Sequence, residues 1–84
     1  MGLATKFEQQ VYWRCRRGML ELDLMLQGFF EKDYNILTDS GKRAFIRLLE
    51  LPDAVLLELL FGQTISADQD IDHVIKQIRA VTTH

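Results

Sequence analysis

The stretch Leu20-Glu21-Leu22-Asp23-Leu24-Met25-Leu26-Gln27-Gly28-Phe29-Phe30 decides the fold. Leu22, Met25, Leu26, Phe29 and Phe30 follow one another at i, i+3, i+4, i+7 and i+8, which is the spacing of the core-facing side of an α-helix. The pattern predicts a helix over about residues 19–34. Gly28 inside it costs about 1 kcal/mol relative to alanine, and is read as the mark of a close helix–helix approach.

The same period extends in both directions. Upstream, Phe7, Val11 and Cys15 stand four apart with Tyr12 beside them, predicting a helix over residues 6–16 that Gly18 interrupts or bends. Downstream, Thr38, Asp39 and Ser40 are cap-type residues ahead of Phe45, Leu48 and Leu49. Pro52 is expected as the first residue of a fourth helix, where its missing N–H costs nothing. That helix carries Val55, Leu56, Leu59 and Leu60, and Gly62 is its expected stop. Ser66 and Gln69 have capping-box spacing and open a fifth helix with Ile71, Val74, Ile75 and Ile78 on one face. No segment sustains the period-2 alternation of a strand. The fold class is therefore all-α, a compact bundle of four or five short helices with short loops.

Eighty-four residues make one domain, with the ordered core expected over about residues 6–81. A chain of this size buries only about 60% of the surface its unfolded form exposes, so every apolar stripe is needed. The single cysteine, Cys15, cannot form an internal disulfide, which fits a reducing compartment. There is no apolar run of the roughly 20 residues that span a bilayer, and no basic start followed by an apolar stretch that would read as a signal peptide. A cytoplasmic protein is expected. The net charge of −2 argues against general affinity for nucleic acid.

The candidate constellations for chemistry are weak. Asp68, Asp70 and Asp72 have the one-three-five spacing of a calcium loop, but His73 stands where glycine is needed and Arg79 where a bidentate Glu is needed. Acidic residues in a first helical turn are favoured by the helix dipole in any case. Cys15 and His73 could form a nucleophile–base pair, but nothing orients them, and a small buried cysteine on a helix face is the simpler account. His84 is terminal. Arg14, Arg16 and Arg17, beside Tyr12 and Trp13, could contact phosphates; cations at the end of a first helix also complement its dipole, and this reading is preferred. No catalytic and no metal-ligating residues are assigned.

The start of the second helix is more informative. With Leu22, Leu26 and Phe29 facing the core, a turn of about 100° per residue sends Leu20 and Leu24 to the opposite side. Arg17 and Glu21, four apart, lie beside them if the helix reaches back to Arg17. This face is either an ordinary surface ion pair, worth about 0–1 kcal/mol, with leucines under a neighbouring helix, or a docking face. In the second case Gly18 gives a partner's backbone room to approach, Arg17 forks onto a partner carboxylate or carbonyl, and Glu21 accepts from partner donors.

The run Trp13-Arg14-Cys15-Arg16-Arg17-Gly18-Met19-Leu20-Glu21-Leu22-Asp23 resembles the signature of the SdhE family, the bacterial FAD assembly factors of succinate dehydrogenase, also called the YgfY family. Phe29-Phe30, Tyr34, Phe45-Ile46-Arg47-Leu48-Leu49-Glu50 and the Pro52-Asp53 helix start agree, so the resemblance covers roughly residues 7–80. An Arg-Gly-x-x-Glu core alone is a weak pattern; its setting between Trp-x-Cys-Arg and Leu-Asp makes it specific. The resemblance implies a five-helix bundle, not an enzyme, that acts as a chaperone by protein–protein interaction. It implies binding to the flavoprotein subunit of succinate dehydrogenase, and of the related fumarate reductase, to promote flavinylation, the covalent attachment of FAD to a histidine of that partner. The family motif maps onto Arg17, Gly18 and Glu21 as the contact surface. With their neighbours, the expected partner-binding set is Arg16, Arg17, Gly18, Leu20, Glu21 and Leu24. No cofactor is expected to be held tightly, no nucleic acid is expected as a partner, and a monomer is expected. The chain departs from some members at Leu20, where they carry arginine, and at Leu59, where they carry tryptophan; both bear on partner preference. The alternatives are a small acidic regulator, antitoxin-like or nucleic-acid-associated through Arg14, Arg16 and Arg17, and an enzyme with Cys15 as nucleophile.

Overall fold

A computed structural model describes residues 6–82 of the chain; His84 and any role for it lie outside them. Five helices follow in order: α1 (Lys6–Arg14), α2 (Leu20–Asp33), α3 (Asp39–Leu49), α4 (Asp53–Leu60) and α5 (Gln69–Thr82), with a 3₁₀ turn at Tyr34–Ile36 between α2 and α3. No strand occurs among the described residues, so the all-α reading holds. None of these helices is long and apolar enough to cross a membrane. The radius of gyration is 11.9 Å, close to the roughly 12 Å expected of a compact domain of this length.

The predicted stripes supply the core. Leu22, Leu26 and Phe29 from α2 are buried, with Met25 and Phe30 packed half-buried beside them. They meet Phe45, Leu48 and Leu49 of α3, Leu56, Leu59 and Leu60 of α4, and Ile71, Val74, Ile75 and Ile78 of α5. The most extensive helix pairing is α3 against α5, and α5 also touches α2 and α4. Aromatic rings close the other side: Phe45 lies 5.6 Å from Phe29 and 5.8 Å from Tyr34, and Phe30 lies 4.7 Å from Tyr34. Tyr12 joins α1 to this cluster, 5.8 Å from Phe30, and its hydroxyl donates to Glu31 Oε2. Of the α1 stripe, only Val11 and Cys15 reach the core; Phe7 is 55% exposed, one turn too early to be covered. Val55 is half-buried, and Leu59 is a core residue.

Helix ends differ from the sequence expectation where local hydrogen bonding decides them. α1 stops at Arg14, two residues early, and its last turn tightens through Cys15 N–H to Tyr12 O and Arg16 N–H to Trp13 O. Thr38 caps α3 by accepting from the Gly41 N–H. Pro52 is the cap of α4 rather than its first residue; Asp53 takes that place, where its charge suits the helix dipole. Gly62 ends α4 at φ +77°, with Gly62 N–H to Leu59 O and Gln63 N–H to Glu58 O, the two bonds of a Schellman stop. α5 is capped by Asp68, not by Ser66: Asp68 Oδ1 accepts from the N–H groups of Asp70 and Ile71, while Ser66 Oγ accepts from Asp68 N–H.

Gly28 corrects an expectation. A Cβ built there meets nothing within 4 Å among the described residues, so none of the described helices approaches it closely. Its only effect on the free fold is the low helix propensity of glycine. Gly28→Ala is therefore expected to raise the unfolding free energy by about 0.5–1 kcal/mol. Urea denaturation of the two proteins checks this; an unchanged or lowered midpoint contradicts it.

Candidate functional site

Between α1 and α2 the chain passes through Cys15–Met19, and its course there is set by Gly18 and Arg17. Gly18 has φ +84°, a left-handed conformation that costs an L-residue roughly 1–2 kcal/mol. The helix therefore cannot continue back from Leu20. Arg17 lies outside α2, and does not share a helix face with Leu20, Glu21 and Leu24 as the continuous-helix reading expected.

Its side chain turns inward. Arg17 Nε donates to Asp53 Oδ1 at 2.9 Å, Nη1 to Arg14 O at 3.0 Å and Leu49 O at 2.8 Å, and Nη2 to Leu51 O at 2.9 Å. The guanidinium thus uses four of its five N–H donors within the chain. Arg14 is the last residue of α1, Leu49 the last of α3 and Asp53 the first of α4. One cation caps two helix C-termini, where carbonyls lack intrahelical partners, and pairs with a carboxylate at a third helix start. The side chain is 15% exposed, against 40% for Asp53. The backbone of the same residue is held as well: Arg17 N–H donates to Asp23 Oδ1 at 2.6 Å. The forked recognition of carbonyl and carboxylate expected of Arg17 is present, but its acceptors belong to this chain. Sequence spacing offers no signal for a contact between positions 36 residues apart, which is why Asp53 was missed; Asp23, six residues on, was missed because its contact to the Arg17 N–H forms only where the helix is broken at Gly18.

The other site residues face solvent. Leu20 is 74% exposed, Leu24 63% and Met19 39%. Glu21, Gly18 and Arg16 are also exposed. Arg16 lies over the Trp13 ring, 5.7 Å from its centroid, and Trp13 is itself 63% exposed. The structure therefore brings Leu20, Glu21 and Leu24 together on one outer face of α2, beside the Gly18 turn, and separates Arg17 from them. A Cβ at Gly18 would meet nothing within 4 Å. The space is open, but the positive φ is an independent reason for glycine, so loss of function in a bulky variant would not isolate docking.

Two rejected constellations now have structural roles. Cys15 is fully buried and its Sγ donates to Val11 O at 3.5 Å. Burial pushes its thiol up to about 12, opposed by Arg17 and assisted by Asp23, whereas His73 is exposed on α5. Asp68 is the α5 cap and pairs with Arg47 at 2.9 Å, and Asp72 pairs with Lys76 at 3.2 Å. The Ile71 N–H, foremost, and Arg47 hold the Asp68 carboxyl below the usual carboxylate range. Among the described residues no group of three or more His, Cys, Asp or Glu is placed to hold a metal ion.

The geometry is that of a small helical module with a braced turn beside exposed leucines and an acidic helix start. Residues 9–82 match the model of the family described as flavinator of succinate dehydrogenase. Relatives named FAD assembly factor SdhE agree: one from Serratia sp. is 43% identical over 70 residues, covering 83% of this chain and 80% of its own. Another, from Coxiella burnetii, is 36% identical over 81 residues, covering 96% and 95%. The chain belongs to this family of succinate dehydrogenase flavinators.

Arg17→Ala is expected to lower stability by about 3 kcal/mol, because it leaves several acceptors without a donor. The melting temperature should fall by about 10 °C or more, and Arg17→Lys, which cannot fork, should recover only part. A loss below about 1 kcal/mol contradicts the bracing role. For Cys15, the folded value near 12 lies above the ordinary 9.0. Its contribution to stability is complete below the unfolded value and disappears as pH rises from there toward 12. Urea midpoints should therefore fall above about pH 9, with Cys15→Ala flattening the fall; a midpoint that rises over that range contradicts this.

Proposed function

We propose that this protein is an assembly factor that binds the flavoprotein subunit of succinate dehydrogenase and promotes covalent attachment of FAD to it. The docking face is the outer side of the α2 start: Leu20, Glu21 and Leu24, beside the Gly18 turn, with Arg16 flanking. The observation that carries the reading is the coincidence of the family motif with this exposed face. Two leucines of 74% and 63% exposure stand beside an exposed carboxylate, and apolar groups of that kind gain most when a partner covers them.

The protein acts by binding rather than by catalysis, since its one thiol is sealed in the core. Docking favours an arrangement of the flavoprotein in which attachment proceeds, a population shift that requires different affinities for the two arrangements. The flavin itself is held by the partner. The start of α2 fits a pyrophosphate poorly, because Glu21 and Asp23 place negative charge in its first turn, where a bound phosphate would use a helix N-terminus. The fumarate reductase flavoprotein is a second client under this reading, and the factor works as a cytoplasmic monomer. Nucleic-acid binding is not favoured, because Arg17 is engaged inside the fold and Arg16 lies on Trp13.

The test is a pull-down with the apoflavoprotein, followed by in-gel flavin fluorescence. Wild type should restore covalent flavin. Glu21→Ala and Leu20→Asp should reduce the yield roughly tenfold or more, the loss of one or two interface contacts, with unchanged helical circular dichroism. Normal flavinylation by both variants would remove this face from the mechanism.

A further inference from the structure

We infer that Asp53, at the opposite side of the turn, is a positioning residue for docking, and that Arg17 acts through the turn rather than by touching the partner. The inference rests on the function proposed above and divides the family motif by role. Gly18 supplies the left-handed bend, Arg17 anchors it from inside, and Glu21 faces out with Leu20 and Leu24.

Met19, the cap residue of α2, makes no side-chain cap hydrogen bond, so the first turn lacks the local fastening that a Ser, Thr, Asp or Asn provides. That turn holds Leu20 and Glu21. Contacts made by Arg17, two residues before the cap, fasten it instead. Asp23 reaches back to the Arg17 N–H, and the Arg17 side chain is fixed to the α3–α4 corner by Leu49 O, Leu51 O and Asp53. Among the described residues Asp53 is the carboxylate that forms an ion pair with the Arg17 side chain, at 2.9 Å with the guanidinium mostly buried. Neutralising it removes the carboxylate charge paired with the guanidinium, and loosens the anchor while leaving every exposed residue of the docking face intact. A partner would then meet a turn with many orientations and must order it on binding, which weakens affinity without removing a contact.

The test uses the full chain with Asp53→Asn, Arg17→Lys and the double variant. It measures amide hydrogen exchange and affinity for the apoflavoprotein. In Asp53→Asn, exchange at the Arg17 and Asp23 amides should speed at least tenfold, while Val74 and Ile78 in α5 stay protected; affinity should fall roughly tenfold, the scale of coupling within one network. Asp53→Asn should add little in the Arg17→Lys background. Unchanged exchange at the turn overturns the anchoring, and unchanged affinity with faster exchange overturns its link to docking. Full additivity of the two substitutions overturns the shared route. Should α5 also loosen, Asp53→Glu keeps the charge: recovered affinity supports the inference and no recovery overturns it. Failure of the wild type to bind the apoflavoprotein sinks the proposed function instead, and the exchange result then still decides whether Asp53 fixes the turn.

Discussion

The Arg17 guanidinium is the constraint on which the arrangement of this bundle depends. Short helices end in unpaired carbonyls, and three of these helices bring an end to the same place. A single cation meets Arg14 O, Leu49 O, Leu51 O and Asp53 there. Apolar burial alone would hold α1 against the core only through Val11, Cys15 and the edge of Tyr12. The guanidinium fixes the chain that follows α1, and therefore where α2 begins. Lysine lacks the planar fork that reaches several acceptors at once, so the position has a chemical and not merely an electrostatic requirement.

Function and stability meet in this turn without using the same atoms. The buried side of the segment 15–23 consists of the Cys15 thiol, the Arg17 fork and Leu22. Its outer side consists of Gly18, Leu20 and Glu21. A small domain has little core to hold a precise surface, and here a polar anchor supplies the precision that packing would supply in a larger protein. The same economy explains why the thiol is inert: a cysteine below the anchor is walled off from water, and burial keeps it protonated.

Much of this was legible in the sequence. The stripe Leu22, Leu26, Phe29 and the run Ile71, Val74, Ile75, Ile78 announced their helices, because periodic burial is a local property. Gly62 was legible as a local helix stop, and Thr38 only as one of three cap-type residues, singled out by its hydrogen bond from the Gly41 N–H. Asp68 was passed over for Ser66 because both are cap-type residues two positions apart, and only the hydrogen bonds separate them. Gly28 was read as a contact, but glycine's propensity cost carries no information about what lies beside it. The docking face was half legible. Helical phase placed Leu20, Glu21 and Leu24 together, but Arg17 joined them only under an unbroken helix, and the bend at Gly18 removed that premise. The partner of an inward arginine lay 36 residues away, beyond what spacing can show.

The central claim is that a turn braced from within presents residues 18–24 to the flavoprotein. The most direct measurement is a hydrogen-exchange footprint of the intact protein, free and saturated with apoflavoprotein. The account predicts new protection at residues 18–24. Protection confined to the exposed α4–α5 connection around Phe61 and Ile65, with residues 18–24 exchanging as in the free protein, would contradict it.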